Sequence, residues 1–191
     1  MIRRPIVALA LAALAAGCRG RGEGEAQAAV RVDSARPVPQ ALAGFRAGLP
    51  RVSELGGAYA GDRDALVRRF VAALEASDSA AFMPMTLSRA EFAWLYYETD
   101  PQAKPPYELP PELMWSQGMQ QGERGISRAL ERFGGRPLAF RGYACAREDD
   151  RRALRVWTGC RLLLGSAEVR LFGGIVEIGG RYKILSYAND L

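Results

Sequence analysis

Residues 167–189 read AEVRLFGGIVEIGGRYKILSYAN. Apolar residues alternate or run together on both sides of Gly179-Gly180, the spacing of β-strands, and a Gly pair tolerates the positive φ of a two-residue hairpin turn. The stretch therefore predicts two antiparallel strands. Gly173-Gly174 interrupts the first of them, and glycine inside a strand marks a bulge or a sharp bend, so a curled sheet is expected. Upstream, PLAFRGYACAR (137–147) and ALRVWTGCRLLLG (153–165) show the same strand spacing. Everything after Gly135 reads as an antiparallel meander.

Before Gly135 the period changes. Leu66, Val67, Phe70, Val71 and Leu74 form one apolar stripe at helical spacing, with Arg63, Arg68, Arg69 and Glu75 off it. A short helix is expected over Ser79–Met83. Ser88 and Glu91 have capping-box spacing and open AEFAWLYYE, with Phe92, Leu95 and Tyr96 expected on the inner face. PQAKPPYELPP (101–111) reads as a loop held over the domain by Tyr107. A long helix follows Pro110-Pro111, with Trp115, Met119, Gly122, Ile126, Leu130 and Phe133 three to four residues apart, and ends at Gly134-Gly135.

The chain opens MIRRPIVALALAALAAGC: Arg3 and Arg4, then eleven apolar residues from Ile6 to Ala16, then small residues and Cys18. The run is short of the roughly 20 residues a membrane span needs, and fits a secretory signal. It resembles a bacterial lipoprotein signal, with Ala15 rather than Leu three places before the cysteine. That resemblance implies removal of residues 1–17, palmitate-type lipidation of Cys18, and, with Arg19 following, an outer-membrane anchor facing the periplasm. Residues 18–58, rich in Gly, Ala, Pro and Arg, read as a flexible tether. Leu42, Phe45, Leu49 and Val52 in its later part are candidates to dock on a domain spanning 59–191.

Composition excludes several function classes. The chain of 191 residues is 49% apolar and 25% charged, which is globular, and holds no His. Ser-His-Asp and Cys-His catalysis and His-built metal sites are therefore excluded, and no cofactor or metal is expected. Net charge is +5; removing residues 1–17 takes away two Arg and no acid, leaving +3. The arginines are scattered rather than clustered into a basic footprint, so no nucleic-acid partner is expected. RGRGEGE lacks the strand–loop–helix context and the lysine of a phosphate loop.

Helices followed by a meander with a bent strand is the element order of the nuclear transport factor 2-like, or SnoaL-like, superfamily. DALVRRFVAALEASD, the long helix and IVEIGGRYKILSYAN carry the resemblance. It implies an α+β cone, in which a curved antiparallel sheet from the C-terminal half wraps the N-terminal helices around a cavity. AEFAWLYYE followed by PYELPPELMW also resembles a group of uncharacterised bacterial lipoproteins. The hairpin usual between the second and third helices of the superfamily is absent, replaced by AEFAWLYYE and the Pro-rich loop.

Candidate chemistry is sparse. Cys145 and Cys160 flank the polar turn 148–152 on successive strands, so a cross-strand disulfide and two buried thiols are both open; an exported compartment favours the bridge. Superfamily enzymes place a carboxylate base and hydrogen-bond donors in an apolar cavity, which here nominates Glu91, Glu98 and Asp100 with Tyr96, Tyr97 and Tyr143. None matches a catalytic motif residue by residue, and Glu91 has a cap's position. Candidate cavity-lining residues are Trp94, Tyr96, Trp115, Met119 and Tyr143. Arg141, Arg155, Arg161 and Arg170 alternate with apolar residues and suggest an exposed polar sheet face, or a cavity wall for an acidic ligand. The expectation is a non-catalytic module binding a small hydrophobic molecule or an envelope protein. The alternatives are an isomerase-, cyclase- or hydrolase-like enzyme with a buried carboxylate, and a structural envelope-assembly lipoprotein.

Overall fold

The computed structural model describes residues 36–57, 62–152 and 154–191. The signal, Cys18 and the first part of the tether lie outside these residues. No helix among the described residues is long and apolar enough to cross a membrane.

Among the described residues five α-helices precede seven strands: α1 (Val38–Arg46), α2 (Arg63–Glu75), α3 (Phe82–Met85), α4 (Arg89–Glu91), α5 (Pro111–Phe133), β1 (Phe140–Ala144), β2 (Arg147–Arg151), β3 (Leu154–Thr158), β4 (Arg161–Leu164), β5 (Ala167–Val169), β6 (Gly174–Ile178) and β7 (Arg181–Ser186). The protein is α+β, with antiparallel sheets in its C-terminal half. One sheet has the order β1-β4-β5 and the other β2-β3-β6-β7. Ala144 lies opposite Arg161 and Arg147 opposite Thr158, the same offset, so β1–β2 and β3–β4 form one long hairpin that crosses from sheet to sheet.

The Cys145–Cys160 disulfide closes that crossing. In the chain-entropy model a loop of this size stabilises by about 3 kcal/mol. Thiol labelling of the denatured, unreduced protein should modify neither Cys145 nor Cys160; two labels would contradict the bridge.

The bend in AEVRLFGGIVEI is present, because β5 and β6 belong to different sheets. A Cβ on Gly174 would stand 2.7 Å from the Trp157 carbonyl oxygen, so the chain passes there only without a side chain. Gly179 and Gly180 take φ of +59° and +77° in the closing turn, as the sequence requires.

Strand alternation gives the four-stranded sheet two buried faces. Trp157, Ile175 and Ile184 pack with Leu66, Phe70 and Leu74 of α2. Val156 and Val176 pack on the other side with Leu42 and Phe45 of α1 and with Phe92 and Tyr97. Residues 36–57 thus belong to the folded unit: Leu42, Phe45 and Leu55 are buried, and Leu49 packs beside them half-buried. Val52 is half-buried. Arg141, Arg155 and Arg161 are exposed and Arg170 is half-buried, paired with Asp190. None of the four lines the cavity between α5 and β7.

AEFAWLYYE is helical but not uniformly so. The capping box of Ser88 and Glu91 opens α4, a π-helical turn follows over Phe92–Tyr96, and a 3-10 turn over Tyr97–Thr99 ends it. The wider π turn rotates the buried face, so Tyr97 is buried while Leu95, expected inward, is only half-buried. Tyr107 is 67% exposed and does not hold the Pro-rich loop. That loop is held by the Tyr97 hydroxyl, which donates to the Leu109 carbonyl at 2.7 Å, and by Leu109 N, which donates to Gln102 O at 2.9 Å.

Candidate functional site

A cavity of about 260 Å³ lies between the N-terminal half of α5 and the end of β7. Met114, Trp115, Gly118, Met119, Gly122 and Ile126 supply one wall, at the three-to-four spacing of one helix face, and Leu185, Ser186 and Tyr187 face them. Phe92, Tyr96, Asp100 and Gln102 close one end; Met83, Thr86 and Leu87 complete the side, and Glu123 reaches the rim. This volume falls a little below the range of about 300 to 1,000 Å³ of drug-sized ligand sites, which suits a smaller molecule, and its mostly apolar lining with a few converging polar groups is the usual make-up of such sites.

The π turn builds the polar end. Adding a residue to one helical turn is a common device where a side chain must be re-aimed. Here Tyr96 and Asp100 meet: the phenol donates to Asp100 Oδ2 at 2.6 Å, and Asp100 Oδ1 caps the following turn by accepting from Gln102 N at 2.8 Å. Arg151 Nη1 stands 3.5 Å from Asp100 Oδ2, with Arg151 Nε at 3.0 Å from Asp149. Burial and then the Asp100 carboxylate push the Tyr96 phenol well above its ordinary 10, so it stays protonated and donating.

Three of the five candidate lining residues, Tyr96, Trp115 and Met119, meet in this cavity, and so does the candidate base Asp100. Trp94 does not line it; the ring lies beneath Arg46 at 4.4 Å and Arg51 at 5.5 Å. Tyr143 lines a separate pocket with Arg63 and Asp64. Its hydroxyl donates to Asp64 at 2.6 Å and accepts from Arg63 Nε at 2.9 Å, and burial and then that carboxylate push it up to about 12. Of the candidate bases, Glu98 is exposed and paired with Arg46 at 2.7 Å.

Glu91 is the cap that the spacing indicates, and more. Its Oε2 accepts from Ser88 N at 2.6 Å and from the Lys183 ammonium at 2.9 Å, while Oε1 accepts from Gly56 N at 2.5 Å. Both charges are buried, at 3% exposure for Glu91 and 6% for Lys183. Burial alone would raise the carboxyl, but the Lys183 ammonium and the two backbone N–H donors outweigh it and hold Glu91 below its ordinary 4.5. A carboxyl depressed in the folded state adds stability above its unfolded pKa and loses it as pH falls through the folded one. Melting temperature should therefore fall on acidification below about pH 4.5, less steeply in Glu91→Gln than in the parent; equal slopes would contradict the assignment. Sequence reading did not find the Lys183 partner. Its signal was present: one of two lysines in an arginine-rich chain, on a strand between Tyr182 and Ile184.

Among the described residues no group of three His, Cys, Asp or Glu side chains could hold a metal ion. No family model, no curated protein and no solved structure matches the chain.

Proposed function

We propose that this chain is a lipid-anchored protein of the cell envelope, attached through Cys18 and facing the periplasm from the outer membrane. Its domain, of NTF2-like type, binds a small and largely apolar molecule without chemical turnover. The observation that carries the binding reading is the cavity itself: a helix face on which Gly118 has nothing within 4 Å of its Cβ position, opposite the end of β7, leaves space where a structural protein would have packed side chains. The NTF2-like reading is supported by the element order and by a cavity between the long helix and a curled sheet. On the second face of the four-stranded sheet lie α1 and the π-helical turn over Phe92–Tyr96.

The catalytic alternative would rest on Asp100 beside Tyr96, and the hydrogen bonds favour the binding reading over it. A general base needs an oxygen within reach of the reacting atom. Asp100 Oδ1 is engaged in capping a turn and Oδ2 accepts from a phenol that stays protonated. Glu91, the other buried carboxylate, is fully occupied by Lys183 and two backbone donors and does not line the cavity.

Native mass spectrometry of the full chain extracted from its own envelope tests the binding reading, with a bound small molecule as the expected result. An empty protein that also takes up none of the aromatic probes described below would overturn it. Radiolabelled palmitate should enter the parent and not Cys18→Ser; label in the variant would overturn the anchor.

A further inference from the structure

The charge balance of the cavity opposes that of the chain. The sequence carries 26 Lys and Arg against 21 Asp and Glu, yet among the described residues no Lys or Arg lines the cavity while two carboxylates, Asp100 and Glu123, do. The Arg151 guanidinium, which does not line the cavity, divides one positive charge between Asp100 at 3.5 Å and Asp149 at 3.0 Å. That end keeps a net negative charge, in surroundings where burial weakens screening. Asp100 is 9% exposed, so its charge is held in place rather than spread into solvent.

The same end is aromatic. The Phe92 ring centroid lies 6.0 Å from Tyr96 and 5.4 Å from Trp115, both at tilted angles, and all three residues line the cavity. Aromatic faces carry negative quadrupole charge and attract cations, most strongly when desolvated and for ammonium groups that shed their water easily. A fatty-acid carboxylate or a phosphate seated there would meet the Asp100 carboxylate, whose Arg151 partner does not line the cavity.

On the binding reading above, we propose that the ligand is an amphiphile with a cationic head, such as a substituted ammonium. The head seats against Phe92, Tyr96, Trp115 and Asp100, and the apolar body lies along Met114 and Met119 of α5. Unbranched Met side chains adapt to the shape of that body. Attraction of an ammonium needs the carboxylate's charge and no vacant lone pair, so the hydrogen bonds from Tyr96 and Gln102 remain in the bound state. The sequence alternative of an acidic ligand held by strand arginines finds no support here, since those arginines do not line the cavity.

Calorimetric titration of the full chain with three probes of matched size tests this: phenyltrimethylammonium, its uncharged isostere tert-butylbenzene, and phenylacetate. The cation should bind about tenfold tighter than the isostere, within what cation–π and carboxylate attraction supply, and phenylacetate should bind weakest. Asp100→Asn, which keeps a capping oxygen for Gln102 N, should reduce the cation's advantage to about threefold or less. Equal binding of all three, or tighter binding of phenylacetate, overturns the cationic head and leaves the binding reading standing. Binding of none overturns the binding reading as well. An unchanged cation preference in a folded Asp100→Asn variant also overturns the assignment.

Discussion

Replacing Lys183 by Met should destabilise the protein by about 3–5 kcal/mol, because it leaves the Glu91 carboxylate buried without its counter-ion. For a domain of this size each kcal/mol moves the melting temperature by roughly 2–4 °C, so a drop of about 10 °C is expected in a thermal scan. Two backbone donors, Ser88 N and Gly56 N, still hold Glu91 in the variant, which sets the loss below complete unfolding. Adding Glu91→Gln should recover a large part of the loss, since a neutral amide keeps acceptor capacity and removes the unpaired charge. The double-mutant cycle reads the coupling directly. Additive losses would show that the two residues are not a pair, and with them would go the link between the start of α4, residues 53–57 and β7.

Two glycines seven residues apart on α5 should respond in opposite directions to the same substitution. A Cβ on Gly125 would strike the Tyr187 carbonyl oxygen, which is backbone and cannot swing aside, while Asn189 Nδ2 donates to the Gly125 carbonyl at 2.8 Å. Gly125→Ala must push α5 away from the chain after β7, an overpacking that costs upward of about 1–3 kcal/mol despite alanine's better helix propensity. A Cβ on Gly118 meets nothing within 4 Å. There Gly118→Ala gains the propensity alone and should stabilise by about 0.5–1 kcal/mol. Urea denaturation of the two variants checks both signs. A neutral Gly125→Ala would mean that α5 does not approach Tyr187 this closely.

The parts of the fold readable in the sequence are those set by local periodicity. The stripe Leu66–Leu74, the Ser88–Glu91 cap, the long helix ending at Gly134, the Gly179-Gly180 turn and the bend at Gly173-Gly174 all rest on residue spacing, and each is in the structure. What spacing leaves out is long-range pairing. The π turn over Phe92–Tyr96 changes which residues face inward, and nothing in AEFAWLYYE distinguishes it from an ordinary helix. Tyr107 is aromatic and sits among prolines, yet the Tyr97 hydroxyl does the work expected of it. The burial of α1 depends on a second apolar sheet face, which comes from Val156 and Val176 more than a hundred residues away.

The cavity was half legible for the same reason. Trp115 and Met119 could be read from one helix face, and Asp100 and Tyr96 are both sequence candidates, but their pairing with each other depends on the π turn and the capped turn after it. Tyr143 and Trp94 have the same residue chemistry as the true lining and point elsewhere. One is held by Asp64 and Arg63 and the other is covered by Arg46 and Arg51.

Filling the cavity is the most direct test of the claim that it is the working part of the protein. Gly118 lines it and has open space in front of its Cα, so Gly118→Leu places a side chain in the cavity without striking the backbone. The expected result is a variant that melts at or above the parent's temperature, carries no co-purified molecule and no longer binds phenyltrimethylammonium. A folded Gly118→Leu protein that retains the same bound molecule and the same affinity would contradict the assignment of function to this cavity.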